Sequence, residues 1–260
     1  MEGENEIAEK NQKNEEVNNK TSNVFISTNE NDKENKNLNY NNLMYYSLKT
    51  KVEILQNEST NSDFVFKIIL IGNSGVGKSC LSLRATKGIF KDDNVSTLGF
   101  EFFNINIKID TKVVKLQIWD TCGQEAYRSL ISGFYHNTEL AIIVYSVTDR
   151  KSFEDIEIWL KQLKTHGSAD CKVFLIANKI DEEKRLVTTN EGIECKNEHG
   201  FMCYMETSAK TGVNSRELFV NVALTLYNIF KDINKDEINN KEKNKYLIFE
   251  DKTEDEDCQC

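Results

Sequence analysis

The sequence predicts an α/β fold, with strands alternating with helices and the main strands covered on both faces. Three observations carry this reading. Residues 68–71 (Ile68, Ile69, Leu70, Ile71) and 140–147 are near-continuous apolar runs, the pattern of strands buried on both faces. A glycine-rich turn, Gly72-Asn73-Ser74-Gly75-Val76-Gly77-Lys78-Ser79-Cys80, links the first run to a helical stretch opening at Lys78. After the second run, apolar residues such as Phe153, Ile156, Trp159, Leu160 and Leu163 recur at helical spacing.

Composition narrows the class. At 260 residues the chain has room for one domain with tails, or for two small ones. Hydrophobic residues make up 39%, low enough that part of the chain is expected to be unfolded. The net charge of −9 argues against a nucleic-acid binder. No stretch approaches the ~20 apolar residues of a membrane span, and the acidic start, Met1-Glu2-Gly3-Glu4, resembles neither a signal peptide nor a myristoylation site. The cysteines lack a Cys-x-x-Cys pair, so neither zinc nor a disulfide framework is indicated and a reducing compartment fits.

Along the chain, residues 1–62 read as a disordered extension rich in Asn, Glu and Lys, with the part from 43 to 55 left open. A folded domain spans 63–232. Phe103, Ile105, Ile107 and Ile109 alternate with polar residues as a half-buried strand. Asp110-Thr111 turns it into a second strand over 113–120. Further strands are expected at 140–147, 173–177 and 201–205, and a polar helix at 189–198. The last helix begins at Asn214 as N-cap and buries Phe219, Val222, Ala223, Leu226 and Phe230. Residues 233–260 read as a charged, flexible tail.

Four motifs fall at the carboxyl ends of expected strands, where open α/β sheets bind ligands. Gly-x-x-x-x-Gly-Lys-Ser is the phosphate-loop pattern. Its glycines let N–H groups converge on an anion, Lys78 adds a charge for the outer phosphates, and Ser79 offers a hydroxyl to magnesium. Asp120 ends a strand and would hold magnesium through water. Beyond it, Gly123 can bring its N–H to a terminal phosphate and Gln124 can orient an attacking water. At Asn178-Lys179-Ile180-Asp181 the Asp181 carboxylate can accept from both N1–H and the exocyclic amine of guanine, a donor pair that adenine lacks. The Lys179 stem can lie against the rings. Backbone N–H groups of Ser208-Ala209-Lys210 could meet the guanine O6. Each tetrapeptide alone is weak, and a strand end followed by a plain turn would match it; together and in this order they are specific.

From about 64 to 232 the chain resembles a small GTPase of the Ras superfamily, of its Rab branch. The resemblance rests on GNSGVGKSC at 72–80, STLGFEF at 96–102, WDTCGQE at 119–125, NKID at 178–181, ETSAK at 206–210 and the ending Cys258-Gln259-Cys260. It implies a P-loop GTPase fold: a six-stranded, mostly parallel sheet with one antiparallel strand and helices on both faces. It also implies two switches, around 90–99 and 123–134. Thr97 would join Ser79 and Asp120 around magnesium, and Phe90, unless it is a core residue, would lie against guanine. Phe102, Trp119 and Phe134 would form a patch for effectors. Their strands' alternation also sets Phe100, Phe102 and Trp119 off the main core, as an exposed patch or a satellite cluster. Cys258 and Cys260 would carry geranylgeranyl groups; with six acids and only Lys252 as a base from 250 on, the tail would depend on both lipids.

The resemblance implies a monomeric switch that binds GTP or GDP with Mg²⁺ and hydrolyses GTP slowly. Its partners would be effectors, an exchange factor, an activating protein and the prenylation and extraction machinery. It would act in vesicle traffic on the cytoplasmic face of an intracellular membrane, cycling with the cytosol. The alternative is a GTP-binding scaffold with negligible turnover, which Gln124 opposes. The sequence departs from the family at Cys122, where Ala is usual, at Ala126-Tyr127 and Tyr135-His136-Asn137 in the second switch, and at Arg84-Ala85-Thr86, which lacks the usual Arg-Phe. The long N-terminal extension is also atypical.

Overall fold

The apolar run at 68–71 does what its lack of alternation requires. In the computed structural model, which describes residues 50–55, 61–90, 99–122 and 132–231, it ends strand β2 (Phe64–Ile71). Ile68, Ile69, Leu70 and Ile71 are all sealed from water. Successive strand side chains point to opposite faces, so Phe66, Ile68 and Leu70 enter one core while Ile69 and Ile71 enter another. The first core takes Leu81 and Ala85 of α1 (Lys78–Lys87). It also takes Leu218, Phe219, Val222, Ala223 and Leu226 of α5, helical over residues 215–231. The second takes Ile156, Trp159, Leu160 and Leu163 of α3 (Ile156–His166). Full burial of one such side chain contributes ~1.5–3 kcal/mol, so the helices are held on both faces by apolar area.

Among the described residues the sheet has seven strands in the order β1-β3-β4-β2-β5-β6-β7. Besides β2 these are β1 (Val52–Leu55), β3 (Phe100–Ile109), β4 (Lys112–Thr121), β5 (Leu140–Ser146), β6 (Lys172–Asn178) and β7 (Cys203–Glu206). β2 runs parallel to β4 and β5, as do β5 with β6 and β6 with β7. β3 is antiparallel to both neighbours, so it alone runs against the rest. The class and the single antiparallel strand agree with expectation. So does the hairpin at Asp110-Thr111: Ile109 pairs with Lys112, and Asp110 takes the left-handed φ of 54° that the tight turn needs.

The count of six strands is corrected to seven. The added strand, β1, lies inside the 1–62 stretch expected as an extension, in the part left open. It pairs Val52 with Ile109 and Ile54 with Ile107. Val52 and Ile54 pack on the first core. The Asp110 amide donates to the Lys51 carbonyl (2.8 Å), and the Asp110 carboxylate accepts from the Lys51 amide (3.0 Å). A four-residue strand carries too little periodicity to be read from sequence.

Two helix details also differ. The apolar spacing from Phe153 to Leu163 runs through a break: α2 (Arg150–Glu154) ends and α3 begins at Asp155. Asn214 does occupy the N-cap position of α5, its carbonyl accepting from the Leu218 amide (3.1 Å), but with a left-handed φ of 57° its side-chain amide donates to the Glu206 carbonyl (2.7 Å), tying the helix start to β7. In contrast, α4 (Thr189–His199) has the full reciprocal cap between Thr188 and Glu191. No helix among the described residues is long and apolar enough to cross a membrane.

Candidate functional site

The carboxyl ends of β2, β4, β6 and β7 meet at one end of the sheet. The loop after β2 is shaped by its glycines. Gly72 has φ 140°, and a Cβ there would stand 2.1 Å from the Val144 carbonyl oxygen of β5. At Gly77, φ 99°, a Cβ would meet the Asn178 amide nitrogen at 2.4 Å. Gly77 caps α1 without any side-chain hydrogen bond. The helix start thus has no side-chain cap from Gly77, and its partial positive charge favours an anion there.

Lys78, 5% exposed, curls back so that Nζ donates to the carbonyls of Gly72 and Asn73, both at 2.8 Å. Burial pulls its pKa down to about 8 against the opposing pull of Asp120 and Cys122. The Ser79 hydroxyl donates to Asp120 Oδ2. Burial pushes the Asp120 carboxyl up to about 6, although Ser79 and Lys78 oppose the shift. Its other oxygen, Oδ1, is buried without a hydrogen-bond partner among the described residues. A buried carboxylate oxygen left over beside a hydroxyl is a donor set that fits a hard divalent cation. No cluster of three or more His, Cys, Asp or Glu competes with it among the described residues.

Asn178 joins the motifs to one another. Its Nδ2 donates to the Val76 carbonyl (2.8 Å) in the glycine loop, and its Oδ1 accepts from the Ala209 amide and the Thr207 hydroxyl, both at 3.2 Å. Lys179 follows with φ 67°. The Ser208 hydroxyl donates to Asp181 Oδ1 at 2.6 Å and accepts from the Thr211 amide at 3.0 Å. Sequence reasoning missed Arg84 as part of this end. Its guanidinium donates to the carbonyls of Ala209 (2.9 Å), Lys210 and Gly88 (2.8 Å), lashing the last turn of α1 to the 208–210 loop. Its bond to Gly88 is the ordinary reach of a helix-end guanidinium; the bonds to Ala209 and Lys210 cross 125 and 126 positions, which no local pattern shows.

Of the other expected residues, Ser74 and Gly75 are exposed at the loop tip, Val76 is buried, and Cys80 and Phe90 are half-buried against the first core. Cys122 is buried, and its amide donates to the Gly99 carbonyl (3.0 Å). Thr97, Gly123, Gln124, Cys258 and Cys260 lie outside the described residues.

Phe102, Trp119 and Phe134 come together, and Phe100 joins them. Phe102 and Trp119 are direct cross-strand partners with rings 5.2 Å apart. Trp119 lies 5.3 Å from Phe134, and Phe100 lies 4.7 Å from Phe134. Phe100 and Phe102 remain 47% and 43% exposed, while Trp119 and Phe134 pack against the second core.

The fold, the glycine loop and the converging motifs define a protein of the P-loop nucleotide-binding class. The Ras family model matches residues 67–228, and the chain belongs to the Ras family. Within it the chain is a Rab-type small GTPase. It is 44% identical over 167 residues to the Ras-related protein RABA1b of Arabidopsis thaliana, covering 64% of this chain and 77% of that one. It is 42% identical over 163 residues to the GTP-binding protein yptV2 of Volvox carteri (62% and 75%). It is 41% identical over 168 residues to the Ras-related protein Rab-8B of Dictyostelium discoideum (64% and 82%).

Proposed function

We propose that the chain is a guanine-nucleotide switch that binds GTP with magnesium, hydrolyses it slowly to GDP and directs membrane traffic by recruiting effectors. The observation that supports this best is the hydrogen-bonded continuity of the motifs: Asn178 binds the glycine loop through Val76 and the 207–209 loop through Ala209. Phosphate and base subsites so linked hold one ligand in one register.

Each residue has a task that its surroundings suit. Lys78, already buried and held by two carbonyls, meets the outer phosphates as a fixed charge. Ser79 and Asp120, with Thr97, would hold magnesium, which when bound neutralises charge on the β- and γ-phosphates. Asp181, oriented by Ser208, accepts from the guanine N1–H and N2–H₂ pair. Gly123 donates to the γ-phosphate, and Gln124 orients the water for in-line attack. Loss of the γ-phosphate releases Thr97 and Gly123, and with them both switches. Phe102, Trp119 and Phe134, with Phe100, receive the effector. Cys258 and Cys260 carry the lipids that hold the protein to the cytoplasmic face of an organelle, from which extraction machinery returns it to the cytosol. Exchange and activating proteins set the cycle.

The test is nucleotide binding and single-turnover hydrolysis by the purified full chain. GDP and GTP should bind far more tightly than ATP, and turnover should be on the order of 10⁻⁴ to 10⁻² per second. Gln124→Leu should slow it with binding intact, and Ser79→Asn should weaken magnesium-dependent GTP binding. Equal affinity for ATP would sink the base assignment; turnover that ignores Gln124→Leu would leave a binding scaffold. Phe102→Ala should abolish effector capture and spare nucleotide. Changing both Cys258 and Cys260 to Ser should move the protein from the membrane to the soluble fraction.

A further inference from the structure

The side chain of Asn73 does not face the space above the glycine loop that its backbone helps to enclose. It turns into the second core and is held there at both ends. Its Nδ2 donates to Asp155 Oδ2 at 2.8 Å, and its Oδ1 accepts from the indole N–H of Trp159 at 2.8 Å. Both partners are inaccessible: Asp155 is 2% exposed and Trp159 0%. Asp155 is the single residue between α2 and α3, and its other oxygen takes the Lys151 ammonium at 2.8 Å. The same Asn73 supplies one of the two carbonyls that hold the Lys78 ammonium. A continuous chain of contacts thus runs from the α2–α3 junction through the Asn73 side chain and backbone to the Lys78 charge.

We propose that Asp155 and Trp159 are positioning residues for the nucleotide: by fixing Asn73 they hold the loop and Lys78 in the binding shape, so the α2–α3 junction sets how long nucleotide stays bound. This rests on the reading of the 72–79 loop as a nucleotide cradle. The buried amide is matched to its partners, a donor against a carboxylate and an acceptor against an N–H. A carboxylate at 73 would keep the Trp159 bond but would set two acceptors against each other in a dry site. An unmade buried hydrogen bond there, and like charges in addition, are costly. The loop would relieve this only by moving, and Lys78 would move with it.

The experiment is the rate of fluorescent GDP release from full-length protein in magnesium, followed beside thermal unfolding. Asn73→Asp should raise the release rate roughly tenfold or more, the scale of one lost buried hydrogen bond. Asp155→Asn alone keeps an acceptor for Asn73 Nδ2 and should change release by less than about threefold. The double variant Asn73→Asp with Asp155→Asn exchanges donor and acceptor, restores both bonds and should return to within about threefold of the natural rate. Asn73→Ala, with no charge added, should also release GDP faster. Fast release by the single variant and recovery by the double establishes the positioning role. Release unchanged in Asn73→Asp or in Asn73→Ala, or a double variant no slower than Asn73→Asp, overturns it. If Asn73→Asp fails to fold, the double variant and Asn73→Ala decide the matter by the same criteria. Failure of the natural protein to bind GDP would instead overturn the nucleotide reading itself.

Discussion

Gly72 is the tightest point of the cradle. Its φ of 140° and the 2.1 Å approach to the Val144 carbonyl leave no room for a methyl group, and the obstacle is backbone in the middle of the sheet. Gly72→Ala should therefore destabilise the fold by about 3 kcal/mol from strain and overlap together, measured by thermal or urea unfolding without nucleotide. Gly77→Ala meets Asn178 Nδ2 and strains the backbone at φ 99°; moving Asn178 would break its bond to Val76. Its expected signature is weaker guanine-nucleotide binding, read by calorimetry, together with a stability loss of about 1–3 kcal/mol. These glycines were legible because the loop pattern demands them. Asn73 and Arg84 are different. An asparagine in a glycine-rich turn reads as a turn residue, and an arginine near a helix end reads as a solvated one. Their roles depend on partners 82 and 125 positions away, a separation at which local spacing is silent.

At the scale of elements, polar ties carry more than the apolar pattern reveals. Glu206 at the end of β7 takes the Arg185 guanidinium, the Thr189 hydroxyl (2.7 Å) and the Tyr204 hydroxyl (2.9 Å), joining β7 to the 185 loop and the first turn of α4. Burial would raise its pKa, but these hydrogen bonds outweigh burial and hold it below its ordinary 4.5. A depressed carboxyl contributes stability above its unfolded pKa and loses it as pH falls through the folded value. The natural protein should thus lose this contribution below pH 4.5, and Glu206→Gln should already lack it at pH 7 and show a shallower acid decline in melting temperature. The edge strand gives a second test. Ile54→Ser should lower stability by about 1–2 kcal/mol, because a half-buried contact with the first core is lost. The full effect should be absent in a chain already lacking residues 1–60. Long buried strands such as β5 and β6 were readable from apolar runs, and α4 from its cap. The break at Asp155 was not, because helical periodicity of apolar residues passes through one kinked position without a visible gap.

For the whole molecule, the sheet brings the glycine loop, Ser79, Asp120, Asn178 and the 207–209 loop to one end, while apolar area on both faces holds it together. A ligand spanning that end should stabilise everything at once. At about 1,000 times its dissociation constant GDP should add ~4 kcal/mol, seen as a rise in melting temperature that ATP at the same concentration does not produce. The architecture was legible because four motifs at strand ends admit few arrangements; what escaped was the seventh strand. That strand bears on how the protein keeps to itself in a crowded cell. β1 reaches only from Ile109 to Asn106 along β3, and the half of β3 from Phe100 to Ile105 has no strand on its outer side among the described residues. An unpaired strand edge is a template for a stranger's strand, and aromatic side chains make it an adhesive one. Without β1 the open template would be ten residues long; with it, the part of the edge furthest from the aromatic patch is closed. Shortening the chain to begin at residue 61 should therefore increase light scattering over time at high protein concentration, and a peptide of residues 50–56 added back should slow it.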